Sequence, residues 1–431
     1  MGNKPTVAAA FTPLLRLAFG PQPPLRFEFW DGSSIEPPGE VPGTMRIRSE
    51  DALSHMIWAP GELGLGRAFV SGAVDLDGDI FKICRALQSA VPDQARLGAA
   101  GVVQAADAAR KLGALSRRPK PPAEEAPPLR GRLHTRARDA AAISHHYDVG
   151  DDFYRLVLGP SMTYSCARFA AADGDGTDVS LEDAQAAKHD LICRKLGLAE
   201  RPGMRLLDVG CGWGSMAMHA ASVYDAQVVG VTISGTQADS ARKRVAEAGL
   251  SDNIEIRRTD YRDLRGEKFD AISSIGMFEH VGAERTPEYF ETLHSLLRPR
   301  GRLLNHAISS RGGSKIKNRS FIGRYVFPDG ELQDVGNVVL AMERAGFEVR
   351  DVESLREHYA LTLRQWVANL ESAWPEAVSQ TSEGRARVWR IYMAASALGF
   401  EDGGLNLHQV LGVVPTPEGN AAMPATRRAW R

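Results

Sequence analysis

Leu206-Leu207-Asp208-Val209-Gly210-Cys211-Gly212-Trp213-Gly214 is the stretch that decides the fold. The apolar run Met204–Val209 predicts a buried strand, the glycines a tight turn, and the apolar-periodic Trp213–Val223 a helix. Glycines after a strand let the backbone approach a ligand closely, while the next helix presents free N–H groups. The spacing is G-x-G-x-G with an acid two residues before it. A dinucleotide site instead uses G-x-G-x-x-G with an acid ~20 residues further on. Working outward, Gln227–Thr232 predicts a second strand and Thr236–Ala248 a helix; Ile254–Arg257, Phe269–Ser274 and Arg302–His306 predict further strands. The second strand ends in Thr232-Ile233-Ser234 with no carboxylate at its tip, which also argues against NAD. Strands alternating with helices predict an α/β domain over 139–431, its parallel sheet wound on both faces.

The 431 residues exceed one ordinary core, so two domains are expected. Short strand-like runs at Leu25–Trp30 and Thr44–Ile47 predict a smaller α+β accessory domain over 1–107, and Gly66–Ile80 predicts a half-buried strand or turn. Between 108 and 138 lie five prolines, nine basic residues and two acids, a local charge of +7 that reads as a basic, Pro-rich linker. The whole chain carries only −1, which excludes a nucleic-acid binder of ordinary kind. No stretch approaches the ~18 apolar residues of a membrane-spanning helix. Cys84, Cys166, Cys193 and Cys211 show no C-x-x-C spacing, so neither a metal site nor a disulfide framework is expected, and a cytoplasmic location is. Arg16 interrupts the apolar Thr6–Phe19, and no small-residue cleavage site follows, which argues against a signal peptide.

The glycine turn resembles the cofactor loop of class I S-adenosylmethionine-dependent methyltransferases, which have a Rossmann-like doubly wound sheet. Further motifs narrow the resemblance: His146-Tyr147-Asp148-Val149-Gly150, Met162-Thr163-Tyr164-Ser165-Cys166-Ala167, Gly276-Met277-Phe278-Glu279-His280, Leu304-Asn305-His306-Ala307-Ile308 and His358-Tyr359-Ala360-Leu361. In this order, from Ser144 to Val410, they resemble the cyclopropane fatty acid synthase family, which includes the mycolic acid cyclopropane synthases.

The resemblance implies methylene transfer from S-adenosylmethionine to the cis double bond of an unsaturated fatty acyl chain, usually on a phospholipid at the membrane surface. The alkene would attack the sulfonium methyl, and a base would then take a proton so that the ring closes. A protein base beside the cation would risk alkylation, and water would quench the cation; a dry site with a small replaceable base avoids both. In this family bicarbonate is that base. Carried over, its pocket would be Cys166, Glu279, His306, Ile308 and Tyr359, with Cys166 and Ile308 contributing backbone groups. The donor would lie across Tyr164, Ser165, Asp208, Gly210, Gly212, Trp213, Gly214, Thr232, Ile233, Ser234, Gln237, Asp260 and Tyr261. Tyr147 would place its π face against the sulfonium, a contact of ~1–2 kcal/mol when desolvated. Asp260 and Tyr261 would receive the adenine.

Ser396 stands where many family members carry a cysteine, so a thiol there is not essential in this chain. Some family members form a methylene or methyl branch instead of a ring, and others are dimers. A small-molecule methyltransferase and an inactive lipid- or cofactor-binding protein are the competing readings. Transient docking on a membrane would use the 108–138 run or the run Arg311, Lys315, Lys317, Arg319 and Arg324.

Overall fold

A computed structural model describes residues 6–90, 107, 110, 113–114, 118–127, 135, 138, 150–169, 179–317 and 319–430. Its two compact units are not the contiguous blocks expected. The first gathers Met1–Pro127 with Arg319–Val326 and Thr381–Leu398; the second takes the remainder.

In the first unit a four-stranded sheet runs in the order β2 (Ser34–Ile35), β1 (Arg26–Phe29), β3 (Gly43–Ile47), β4 (Val74–Gly78). β1 and β3 pair in parallel, β3 and β4 antiparallel. The segment 66–80 differs from expectation, because Ala68, Phe69 and Val70 finish the helix Glu62–Val70 and only Val74–Gly78 is strand. All three are buried, and a short apolar run reads alike on a buried helix end and a strand.

Glu125 explains why distant segments join this unit. Its carboxylate, wholly buried, accepts from Arg67 at 2.6 and 2.7 Å, from Arg324 at 3.0 and 2.7 Å, and from the Tyr325 hydroxyl at 3.2 Å. Burial alone would raise its pKa, but the two guanidinium groups hold it below the ordinary value. The 381–398 segment is tied in by Arg387, which donates to the carbonyls of Phe69 and Val74 at 3.2 Å each. The described residues 118–127 of the expected linker are therefore anchored to this unit through Glu125.

The second unit holds a seven-stranded sheet. Its order is β12 (Glu348–Ser354), β13 (Asn406–Val413), β9 (Leu297–Ser309), β8 (Phe269–Ile275), β5 (Arg205–Val209), β6 (Gln227–Thr232), β7 (Ile254–Arg258). The five strands from β9 to β7 pair in parallel, as expected. β12 and β13 pair antiparallel beyond β9, which the strand–helix alternation did not predict. A small hairpin, β10 (Ser314–Lys315) with β11 (Glu331–Leu332), follows β9.

Neighbouring residues on one strand feed opposite cores. Leu206 and Val228 pack with Met216, Ala217 and Val245 on one face. Leu207 and Val229 pack with Tyr289, Phe290 and Met342 on the other. Continuous apolar runs are what a sheet covered on both faces requires, so polar chemistry emerges only at the strand ends.

Replacing Glu125 tests the charge cluster. Glu125→Gln leaves two mostly buried guanidinium groups short of a carboxylate, a loss of about 3 kcal/mol in the unit that holds it. Denaturant unfolding of the full chain followed by tryptophan fluorescence should show an early transition absent from wild type. Coincident curves would show that the cluster contributes nothing.

Candidate active site

At the C-terminal end of β5 the ladder continues into the turn: the amides of Gly210 and Cys211 both donate to the Val231 carbonyl, at 2.9 and 3.0 Å. This drives Gly210, Gly212 and Gly214 into positive φ, at 74°, 54° and 81°. A Cβ on Gly210 would stand 2.9 Å from the Met277 side chain, whereas one on Gly212 would meet nothing within 4 Å. The backbone at Gly212 therefore faces open space, as a close-approach loop requires.

A cleft opens here, walled by the ends of β5 and β6, the turn after β7, and the segment before the helix Leu181–Leu196. Of the residues expected at a donor site, Tyr164, Ser165, Asp208, Gly210, Gly212, Trp213, Thr232, Ile233, Gln237, Asp260 and Tyr261 line it. Gly214 and Ser234 do not; they sit at the N-caps of the helices Ser215–Tyr224 and Gly235–Glu247, and the Ser234 hydroxyl accepts from the Gln237 amide at 3.2 Å. Tyr147 lies outside the described residues.

Several side chains are already committed. Both carboxylate oxygens of Asp260 accept from Arg262, at 2.8 and 2.6 Å, so its charge is neutralised from within the cleft wall. The Trp213 indole donates to Asp151 at 2.8 Å and packs on Tyr154, ring centroids 4.6 Å apart. Tyr154 contacts Tyr164, which contacts Trp366, which meets Tyr359 edge-on; an aromatic wall thus runs from the glycine turn to Tyr359. Asp208 is buried, its Oδ1 accepting from the Ser273 hydroxyl at 2.8 Å and its Oδ2 unpartnered. Burial pushes its pKa up to about 6.

The five residues expected to hold an anion come together pairwise. Glu279, on the turn Phe278–His280, accepts from the Ile308 amide through Oε1 at 2.7 Å. The Ile308 N–H is therefore taken by Glu279, contrary to the expectation that it would meet an anion directly. Glu279 Oε2 has no partner, and burial pushes the carboxyl up to about 7. His306 lies two residues before Ile308 on the same face of β9; its Nδ1 meets the Gln409 amide at 3.2 Å while Nε2 is unpartnered. Burial holds the ring pKa well below the ordinary histidine value, so it is neutral. Cys166 Sγ and the Tyr359 amide both reach the Leu355 carbonyl, at 3.7 and 3.2 Å. Burial raises the thiol's pKa, which disfavours the thiolate.

Sequence reasoning missed Lys188, Arg262 and Met277, all of which line the cleft. Arg262 stands two residues after Asp260, a signal that was legible; Lys188 carries none. The basic runs are less available than their charge suggests. Arg324 is bound to Glu125, Lys315 pairs with Glu331 at 3.3 Å, and Arg138 pairs with Asp329 at 2.5 Å. Most of 108–138 lies outside the described residues.

The family model described as mycolic acid cyclopropane synthetase matches residues 134–410. The chain is 43% identical over 423 residues to the "Probable fatty acid methyltransferase Rv3720" of Mycobacterium tuberculosis, covering 95% of each chain. It is 35% identical over 377 residues to the cyclopropane-fatty-acyl-phospholipid synthase of Escherichia coli K12, covering 86% of this chain and 88% of that one. The crystal structure of mycolic acid cyclopropane synthase CmaA1 complexed with SAH and CTAB superposes with a TM-score of 0.58 at 36% identity, covering 64% of this chain and 98% of that one.

Glu279 gives a pH prediction. Its folded pKa of about 7 lies above the ordinary 4.5, so between those values the folded state binds more protons than the unfolded state. Its contribution to stability therefore falls as pH rises through that window, by up to about 1.4 kcal/mol per unit, and is flat above it. Glu279→Gln should remove this slope in urea unfolding of the full chain at pH 5, 6 and 7. Parallel wild-type and variant profiles would contradict the buried carboxyl.

Proposed function

The chain belongs to the mycolic acid cyclopropane synthetase family of S-adenosylmethionine-dependent methyltransferases, and on that premise we propose that it forms cyclopropane rings on unsaturated acyl chains of phospholipids, with bicarbonate as the base. The methyl donor supplies a one-carbon electrophile; the residues described above orient it and keep water away. The cleft at the ends of β5 and β6 suits the donor, because the open side of Gly212 admits the ligand to the backbone and Thr232 and Gln237 offer polar atoms at the tip of β6. Asp260 would meet the adenine only through a carboxylate already shared with Arg262.

The observation that carries the reading is the pair of buried, unpartnered atoms Glu279 Oε2 and His306 Nε2. Orphaned polar atoms at such depth call for a small hydrogen-bonding guest. Bicarbonate both donates and accepts, which suits a protonatable carboxyl and a neutral imidazole. Held there, it would take the proton released when the ring closes, and the aromatic wall from Trp213 to Tyr359 would keep the cation from water. Among the described residues no helix is long and apolar enough to cross a membrane. The acyl chain would be taken from the bilayer surface during transient docking, helped by the exposed basic residues Arg311 and Lys317.

Three outcomes are expected. Gly212→Val should weaken S-adenosylhomocysteine binding at least ~100-fold in calorimetry, since the new side chain enters the ligand's space from a strained backbone; unchanged affinity would remove the donor site from this loop. Glu279→Gln should cut turnover ~10²-fold with donor affinity kept, and bicarbonate should stimulate depleted wild-type enzyme. A fully active variant would remove the base assignment. Expression in a host lacking its own synthase should yield lipids with high-field ring-proton resonances; vinylidene signals would mean branching instead of ring closure.

A further inference from the structure

Lys188 lies midway along the helix Leu181–Leu196 with its side chain wholly buried, and it lines the same cleft as Ser165 and Asp208. Among the described residues its one hydrogen-bond partner is Ser165, with Nζ donating to Oγ across 2.9 Å. An ammonium in such a place ordinarily needs a carboxylate in contact. Asp208 is near enough for its charge to bear on Lys188, yet the two do not bond; Asp208 Oδ1 is held by Ser273 and Oδ2 is unpartnered. A buried cation and a buried carboxylate thus face one cleft without touching, and a ligand carrying both charges would complete each.

The hydroxyl between them sets the polarity. Ser165 Oγ accepts from Lys188, so its own hydrogen is left to point toward a ligand, and the ammonium behind it strengthens that donor. We propose that Lys188 is a positioning residue which, through Ser165, reads the carboxylate of an α-amino acid group, while Asp208 Oδ2 accepts from that group's ammonium. This rests on the donor assignment above and names the amino acid end of the donor as the part Lys188 recognises. Burial agrees with it: Lys188 is pushed down to about 7 and Asp208 up to about 6, and a zwitterion seated beside them would favour the charged form of both.

The test compares two ligands by calorimetry on the full chain. S-adenosylhomocysteine carries the amino acid; 5′-methylthioadenosine has the same nucleoside and thioether without it. Lys188→Met should weaken S-adenosylhomocysteine about tenfold or more and leave methylthioadenosine unchanged. Ser165→Ala, a smaller perturbation, should discriminate in the same sense, and the double variant should lose little beyond either single one. Equal weakening of both ligands by Lys188→Met, or additive losses in the double variant, would reduce Lys188 to packing and overturn the proposal. Wild type binding both ligands with equal affinity would overturn it while leaving the donor site in place; wild type binding neither would remove the donor site as well.

Discussion

The β5–β6 ladder running on into the glycine turn is the constraint on which the rest of the site depends. Two successive amides converge on the Val231 carbonyl, so the chain must leave the sheet at once, and only residues tolerant of positive φ can follow. That turn aims the helix Ser215–Tyr224, clears the space beside Gly212, and sets Asp208 at the cleft floor between β6 and β8. Because both faces of the sheet are packed, no other part of these strands can offer polar groups to a ligand.

Burial then sets the chemistry. Lys188, Asp208 and His306 are buried, Glu279 buries its unpartnered Oε2, and in each the desolvation of the charged form is the largest influence. Lys188 and His306 are pushed down, Asp208 and Glu279 up, so all four move toward neutrality. The cost to stability is the same quantity that brings two carboxyls and an amine near neutral pH, where small changes in surroundings shift their protons. Glu125 shows the opposite outcome in the other unit. With two guanidinium groups in contact its buried carboxylate stays charged, and the result is a structural clasp.

The clasp also explains why chain order misleads about domain limits. The 119–128 prolines and surrounding charge read as a linker, yet Glu125 and Ala126 are buried, and the Ala126 amide donates to the Arg324 carbonyl at 2.8 Å. Arg67, Glu125, Arg324 and Arg387 lie up to 320 positions apart in the sequence. No local pattern ties them together.

Local pattern alone determined the parallel strands and the glycine turn, because strand burial on two faces and the need for positive φ write themselves into neighbouring residues; Tyr164, Ser165, Gln237, Asp260 and Tyr261 were reached only through the family resemblance. The motif order likewise pointed to Glu279, His306 and Tyr359. Only the tertiary structure decided that β13 inserts antiparallel between β9 and β12, that Arg262 binds Asp260, and that the Ile308 amide is taken by Glu279. It alone revealed Lys188, since a lysine inside an amphipathic helix reads as solvated until packing shows it facing Ser165 and Asp208. Such contacts join residues far apart in the chain, and their energies come from desolvation, which depends on what surrounds a group and not on what adjoins it in the sequence.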